Sequence, residues 1–192
     1  MILKNMKLLF CSNLAKKVEQ EFINLFPSNI RIGYIPSQHI DGNPYFEETR
    51  QYYKQNYSIN DVICLDIDKN YRNDFIDLLN SCDILILSGG NAAYFLNNFK
   101  KRGLLEPVRL FAKTEGKGVI GISAGGIIMT PNINIGNLFE KEAIKNEESL
   151  GLVNFEFCPH FTKNDAPKNI IEYAKNNNVK FCGEEKFILI NE

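Results

Sequence analysis

Three observations in the 192-residue sequence predict an α/β fold, a parallel sheet covered by helices. Short apolar runs alternate with segments of helical periodicity along the chain. One run, Ile84-Leu85-Ile86-Leu87, shows no polar alternation and so reads as a central strand buried on both faces. A later run, Val119 to Ile122, leads straight into a glycine-flanked turn and an apolar helical start.

The elements follow in order. Lys7 to Cys11 is the first strand. Leu14, Val18, Phe22 and Leu25 then recur on one helical face, with Ser12 placed to cap that helix and Pro27 to stop it. Ile30 to Ile35 and Val62 to Leu65 are strands, each followed by a helical pattern, Glu47 to Tyr57 lying between them and Tyr71 to Leu79 after the second. Beyond the central strand, Ser88-Gly89-Gly90-Asn91 turns into a helix from Ala92 to Lys101. Gly103-Leu104-Leu105-Glu106-Pro107 stops it and starts another, with Pro107 at an early helical position. Pro131 to Glu148 is polar and irregular and reads as loop. Phe155 to Cys158 is a strand, and Asp165 and Pro167 start a helix whose Ile170, Ile171 and Ala174 face the core. Val179 to Cys182 and Phe187 to Ile190 resemble two strands about a turn.

Length and composition narrow the function classes. A chain of this size fits a single domain over residues 1–192. The 22 basic and 23 acidic side chains nearly cancel, which favours neither nucleic acid nor an anionic membrane surface as a partner. Cys11, Cys64, Cys82, Cys158 and Cys182 are odd in number, form no C-x-x-C pair, and lie largely in apolar runs, as reduced core thiols do. No apolar stretch is long enough for a signal peptide or a membrane span, so a cytoplasmic location is expected. No His/Cys/Asp cluster has metal-ligand spacing, and neither metal nor organic cofactor is expected.

The chemistry-bearing motif is Gly121-Ile122-Ser123-Ala124-Gly125 at the strand-to-helix turn. Such a bend leaves its serine exposed, and the flanking glycines are expected to supply backbone angles that a β-carbon would obstruct. Ser123 would be the nucleophile, with the Ala124 amide facing any oxyanion formed by its attack. A serine hydroxyl needs a base, and the chain has two histidines. His39 lies in a polar loop, whereas His160 directly follows a strand, where a rigid element can aim it at the sheet's carboxyl edge. The plain alternative makes His160 a strand-end residue packed between Phe157 and Phe161. Only 37 residues separate Ser123 from His160, too few for the strands and helices that an α/β-hydrolase places there, so the acid is sought later in the chain. Asp165 and Glu172 read as a helix cap and a helix polar face, while Glu184 and Glu185 occupy the turn after a strand. Cys158, between Phe157 and Pro159, reads as a buried thiol rather than a nucleophile.

Several motifs in this order resemble the S51 serine peptidases, which include peptidase E and cyanophycinase. They are Tyr34-Ile35-Pro36, Gly89-Gly90-Asn91, Arg102-Gly103-Leu104-Leu105-Glu106-Pro107, Gly121-Ile122-Ser123-Ala124-Gly125 and Pro159-His160-Phe161-Thr162. The resemblance covers essentially the whole chain. It implies a flavodoxin-like sheet with helices on both faces, similar to class I glutamine amidotransferases, and a Ser-His-Glu triad of Ser123, His160 and Glu184, with Glu185 the alternative acid. It further implies an oxyanion hole from the Gly90 and Ala124 amides, and contacts to a small peptide substrate from Asn91, Thr162 and Lys163. Peptidase E prefers an N-terminal aspartate, for which a cation after the histidine is expected. Here Lys163 and Lys168 are the cations in that segment, and no arginine is present. Ser88 stands where the family's turn begins with another glycine. The expected protein is a monomer or homodimer. The competing readings are an amidase or esterase using the same triad on a non-peptide substrate, and a non-catalytic binding or regulatory protein of the same fold.

Overall fold

The computed structural model describes residues 6–14, 16–141, 145 and 147–191, with only the backbone of 16–18. Six strands form the main sheet: β1 (Lys7–Cys11), β2 (Ile32–Ile35), β3 (Val62–Cys64), β4 (Ile84–Leu87), β5 (Gly118–Ile122) and β8 (Phe187–Asn191). Their order is β3-β2-β4-β5-β1-β8, parallel throughout except for β8, which runs antiparallel to β1 along the edge. The remaining strands, β6 (Glu156–Pro159) and β7 (Val179–Cys182), pair in parallel as a separate two-stranded sheet. Taken alone, β2 to β5 have the doubly wound order of a flavodoxin-like sheet, and β1 fills the next position. The switch point of that order lies between β2 and β4, where the chain first steps outward to β3 and then returns.

Period-2 alternation distributes the strand side chains between two layers. Leu8, Phe10, Leu85, Leu87 and Val119 join a core with α3 (Phe75–Ser81), α4 (Ala92–Lys101), α5 (Leu105–Lys113) and α6 (Ala124–Ile128). Leu9, Cys11, Ile84, Ile86 and Ile120 join the other, with Phe22 of α1 (Lys16–Ile23) and Tyr53 of α2 (Pro44–Tyr57). Helices therefore cover both faces, and β4 is buried along its whole length, as its unbroken apolar run requires. Glu19 of α1 is fully buried, yet it accepts hydrogen bonds from the Tyr52 and Tyr53 hydroxyls, each at 2.5 Å, which pins α1 to α2. Burial pushes its carboxyl above the usual carboxylate range, and the two tyrosine bonds pull the other way.

Several sequence expectations need correction. Ser12 caps no helix: α1 begins at Lys16, and the Ser12 hydroxyl is used elsewhere. The expected one-face pattern through Val18 falls on a side chain outside the described residues. Within Pro131 to Glu148 a short helix, α7 (Asn134–Phe139), packs its Ile135 into the core. Asp165 does not cap α8 (Lys168–Ala174); its Oδ1 accepts instead from the backbone and hydroxyl of Thr162, closing the turn after His160. The last two strands do lie about a turn, as expected, but they pair with different partners, β7 with β6 and β8 with β1. Local pattern marks a strand but does not name its neighbour.

The helix after β5 approaches the sheet closely. A β-carbon on Gly125 would stand 2.0 Å from the Leu87 carbonyl oxygen, so α6 can lie against β4 only with glycine there. Gly125→Ala is expected to lower unfolding stability by about 3 kcal/mol, the scale of overpacking against backbone that cannot retreat. A urea denaturation midpoint equal to that of the parent would contradict this packing.

Candidate active site

Ser123 sits at the junction of β5 and α6 with φ 48° and ψ −110°, a conformation that costs a residue with a β-carbon roughly 1–3 kcal/mol. The sequence reading gave this burden to the neighbouring glycines. Their backbones are unexceptional in φ, and they are required instead for space: a β-carbon on Gly121 would lie 2.4 Å from Met129 Sδ. The strained residue is the serine itself. Its amide donates to the Cys11 carbonyl at the end of β1, at 2.9 Å, which holds the bend in place.

His160 follows β6 and also has positive φ, 68°. Its Nε2 lies 2.8 Å from Ser123 Oγ, and its Nδ1 lies 2.9 Å from Glu184 Oε1. A carboxylate on Nδ1 selects the tautomer with the proton there, leaving Nε2 free to accept from the serine hydroxyl. Glu184 enters from the turn after β7, so acid and base come from the adjacent carboxyl ends of the small sheet. Glu185 is exposed and makes none of these bonds.

Two further residues hold the site, and neither was assigned to it from sequence. The Ser12 hydroxyl accepts from the His160 amide at 2.8 Å and donates to the Cys182 carbonyl at 2.7 Å. The Asn13 side-chain amide donates to Glu184 Oε2 in a short hydrogen bond. Cys11, Ser12 and Asn13 are consecutive, and each holds one of Ser123, His160 and Glu184. Their only signal in the sequence is position: they end a strand at the same sheet edge as the nucleophile.

The other candidates divide. Gly89 lies beside the serine, since a β-carbon built on it would be 3.7 Å from Ser123 Cβ. Gly90 has φ 136°, and any side chain there would collide with Ser37 Oγ at 2.1 Å. Among the described residues the amides of Gly89 and Gly90 donate to no backbone acceptor. Ala124 opens α6 next to the serine. Asn91 caps α4, its Oδ1 accepting from the Tyr94 amide at 2.8 Å. Thr162 is tied to Asp165, while Lys163 and Lys168 are exposed and form no ion pair among the described residues. Cys158 is buried, which pushes its thiol up to about 12. Ser88, where another glycine was anticipated, accepts from the Ser37 amide at 2.7 Å and so ties the loop after β2 to the turn after β4.

A cavity of about 520 Å³ opens at the switch point, between the loop after β2 and the turn after β4, with Gly89, Gly90 and Ile122 on the side towards Ser123. Its wall includes the loop carrying His39. That histidine is not near Ser123; its Nδ1 pairs with Asp66 at 2.7 Å, its Nε2 lies 3.2 Å from Asp41, and its amide donates to Asp68. Among the described residues no cluster of His, Cys, Asp and Glu is arranged to hold a metal ion, and no helix is long and apolar enough to cross a membrane.

The sequence model of peptidase family S51 matches residues 8–192. The chain belongs to peptidase family S51. A crystal structure of a candidate peptidase E protein from Listeria monocytogenes EGD-e superposes with a TM-score of 0.74 at 26% identity, covering 97% of this chain and 94% of that one. An uncharacterized peptidase of Pasteurella multocida is 28% identical over 82% of this chain and 78% of its own length. An uncharacterized peptidase of Listeria innocua is 27% identical over 139 residues, and there the match spans 68% of this chain and 66% of the relative. The S51 assignment accords with the mostly parallel sheet and with the order of the motifs along the chain.

Two outcomes follow from the site's geometry. Ser12→Ala removes the acceptor of the partly buried His160 amide and the donor to the buried Cys182 carbonyl, and is expected to lower stability by about 1–3 kcal/mol in urea denaturation. His39 is held above its usual pKa chiefly by its hydrogen bond to Asp66, which outweighs the opposing desolvation, with a lesser contribution from Asp41. With a folded pKa above the unfolded one, the stability it contributes is full below the unfolded value and is lost as pH rises through the folded value. An NMR titration of the His39 ring should give a midpoint above that of an unstructured histidine, and Asp66→Asn should lower it. A midpoint insensitive to Asp66→Asn would show that the pair does not set the charge.

Proposed function

We propose that this S51 protein is a serine peptidase that hydrolyses small peptides in the cytoplasm through an acyl-enzyme. The strongest support is the unbroken chain of contacts from Ser123 Oγ through both ring nitrogens of His160 to Glu184. In this reading His160 Nε2 takes the Ser123 proton as the serine oxygen attacks the peptide carbonyl carbon. The oxyanion of the tetrahedral intermediate accepts hydrogen bonds from the Gly90 and Ala124 amides, the first of which has no backbone acceptor among the described residues. Glu184 stabilises the imidazolium, with Asn13 fixing the carboxylate's second oxygen. Collapse breaks the C–N bond as His160 returns its proton to the leaving amine. Water, deprotonated by the same nitrogen, then attacks the ester and releases the acid, regenerating the serine hydroxyl.

The geometry favours catalysis over simple binding for a specific reason. A strained φ at Ser123 lowers stability, and the residues at the end of β1 spend one hydrogen bond on its amide and two on orienting its partners His160 and Glu184. Hydrolysis of a dipeptide panel that includes N-terminal aspartate tests the reading. Ser123→Ala is expected to reduce kcat/KM by roughly 10⁴-fold or more, and Glu184→Gln by about 10³-fold. A serine-directed fluorophosphonate should label the parent at Ser123 and leave the alanine variant unlabelled. Near-normal turnover by Ser123→Ala would refute the assignment.

A further inference from the structure

We infer that the cavity beside Ser123 is a subsite for a cationic side chain of the substrate, lysine or arginine, with Glu48 as the specificity-determining carboxylate. This rests on the peptidase reading and names its substrate class. The cavity lies outside the carboxyl ends of β2 and β4, at the switch point, and its volume of about 520 Å³ is within the range of small-ligand pockets. It adjoins the nucleophile through Ile122 and Gly89, and it shares Asn13 with the residues that hold Glu184. A peptide whose carbonyl reaches Ser123 therefore has a neighbouring side chain directed here.

The charge of the wall decides what that side chain is. Among the lining residues Glu48 is the one that carries a formal charge, and no lysine or arginine is present. Its neighbour Glu47 is neutralised by Arg50, at 2.6 and 3.0 Å, whereas Glu48 has no hydrogen bond or ion pair among the described residues. Tyr45 lies three residues before Glu48 on α2, hence on the same helix face, and its ring is more than half exposed at the cavity. A carboxylate with a tyrosine ring beside it suits an ammonium or guanidinium group, which gains an ion pair and a cation–π contact together. An aspartate in the same position would meet a like charge. The lysines that might offset this, Lys163 and Lys168, are exposed beyond His160 and contribute nothing to the wall.

The test separates binding from turnover. With Ser123→Ala protein, calorimetry would compare the dipeptides Arg-Ala and Ala-Arg with Asp-Ala and Ala-Asp, which share the same termini. The better arginine peptide is expected to bind about tenfold more tightly than either aspartate peptide, the combined scale of a partly screened ion pair and a cation–π contact. Adding Glu48→Gln should remove most of that ratio, and Glu48→Lys should invert it. Equal or tighter binding of an aspartate peptide, or a ratio unchanged by Glu48→Gln, would overturn the subsite. These measurements hold whether or not the parent cleaves. Failure of the parent to hydrolyse any of the four, with no fluorophosphonate labelling, would instead count against the peptidase reading alone.

Discussion

Three consecutive residues at the end of β1 hold the whole site together. Cys11 offers its carbonyl to the Ser123 amide, Ser12 its hydroxyl to the His160 amide, and Asn13 its side-chain amide to Glu184. The three recipients are far apart in sequence and lie on two different sheets, so no local interaction could align them. A strand end buried between two parallel or antiparallel neighbours is among the most rigid places in an α/β fold, and β1 has β5 on one side and β8 on the other. The positive φ of Ser123 is tolerated because this anchor and the close seat of α6 on β4 leave the backbone nowhere else to go.

Much of this was legible in the sequence, for reasons that can be stated residue by residue. The strands are short apolar runs and the elbow has a glycine pattern, so Ile84 to Leu87 and Gly118 to Ile122 announce themselves. His160 stands out because it directly follows a strand, whereas a glutamate of the Glu184-Glu185 turn was implied by the family resemblance, and the structure brings His160 and Glu184 into one hydrogen-bonded chain with Ser123. Ser12 was misread because a serine between a strand and a helix fits a cap, and its true partners are 148 and 170 residues away. Asn13 carried no local signal at all. Helix α7 escaped notice because six residues with two asparagines and a glycine hardly establish a period, and the partners of the late strands were not legible because pairing is a tertiary choice.

Burial of ionisable groups follows one logic across the molecule. Glu19 is admitted to the interior because two tyrosine hydroxyls meet its oxygens, and Glu156 because the Tyr173 hydroxyl meets one of its own; burial raises both carboxyls. His39 is handled differently, at the surface, where acidic neighbours favour its charged form and fix the loop that walls the cavity. The edge that carries Ser123 therefore sits between the anchor at β1 and a wall whose loop holds the His39–Asp66 pair.

The division into two sheets gives the site a mechanical seam. Ser123 belongs to the main sheet, while His160 and Glu184 follow β6 and β7, and the two sheets are joined by the Ser12 and Asn13 hydrogen bonds and by Phe10 against Phe155 and Phe157, with ring centroids 5.5 and 5.4 Å apart. Sliding one sheet past the other would leave both ladders intact and keep His160 beside Glu184, yet it would have to strain the Ser12 and Asn13 hydrogen bonds before the spacing of His160 from Ser123 could change. The three bonds from Ser12 and Asn13 thus act as rivets across the seam, so the spacing of Ser123 from His160 is set by the residues that follow β1 rather than by either sheet's own ladder.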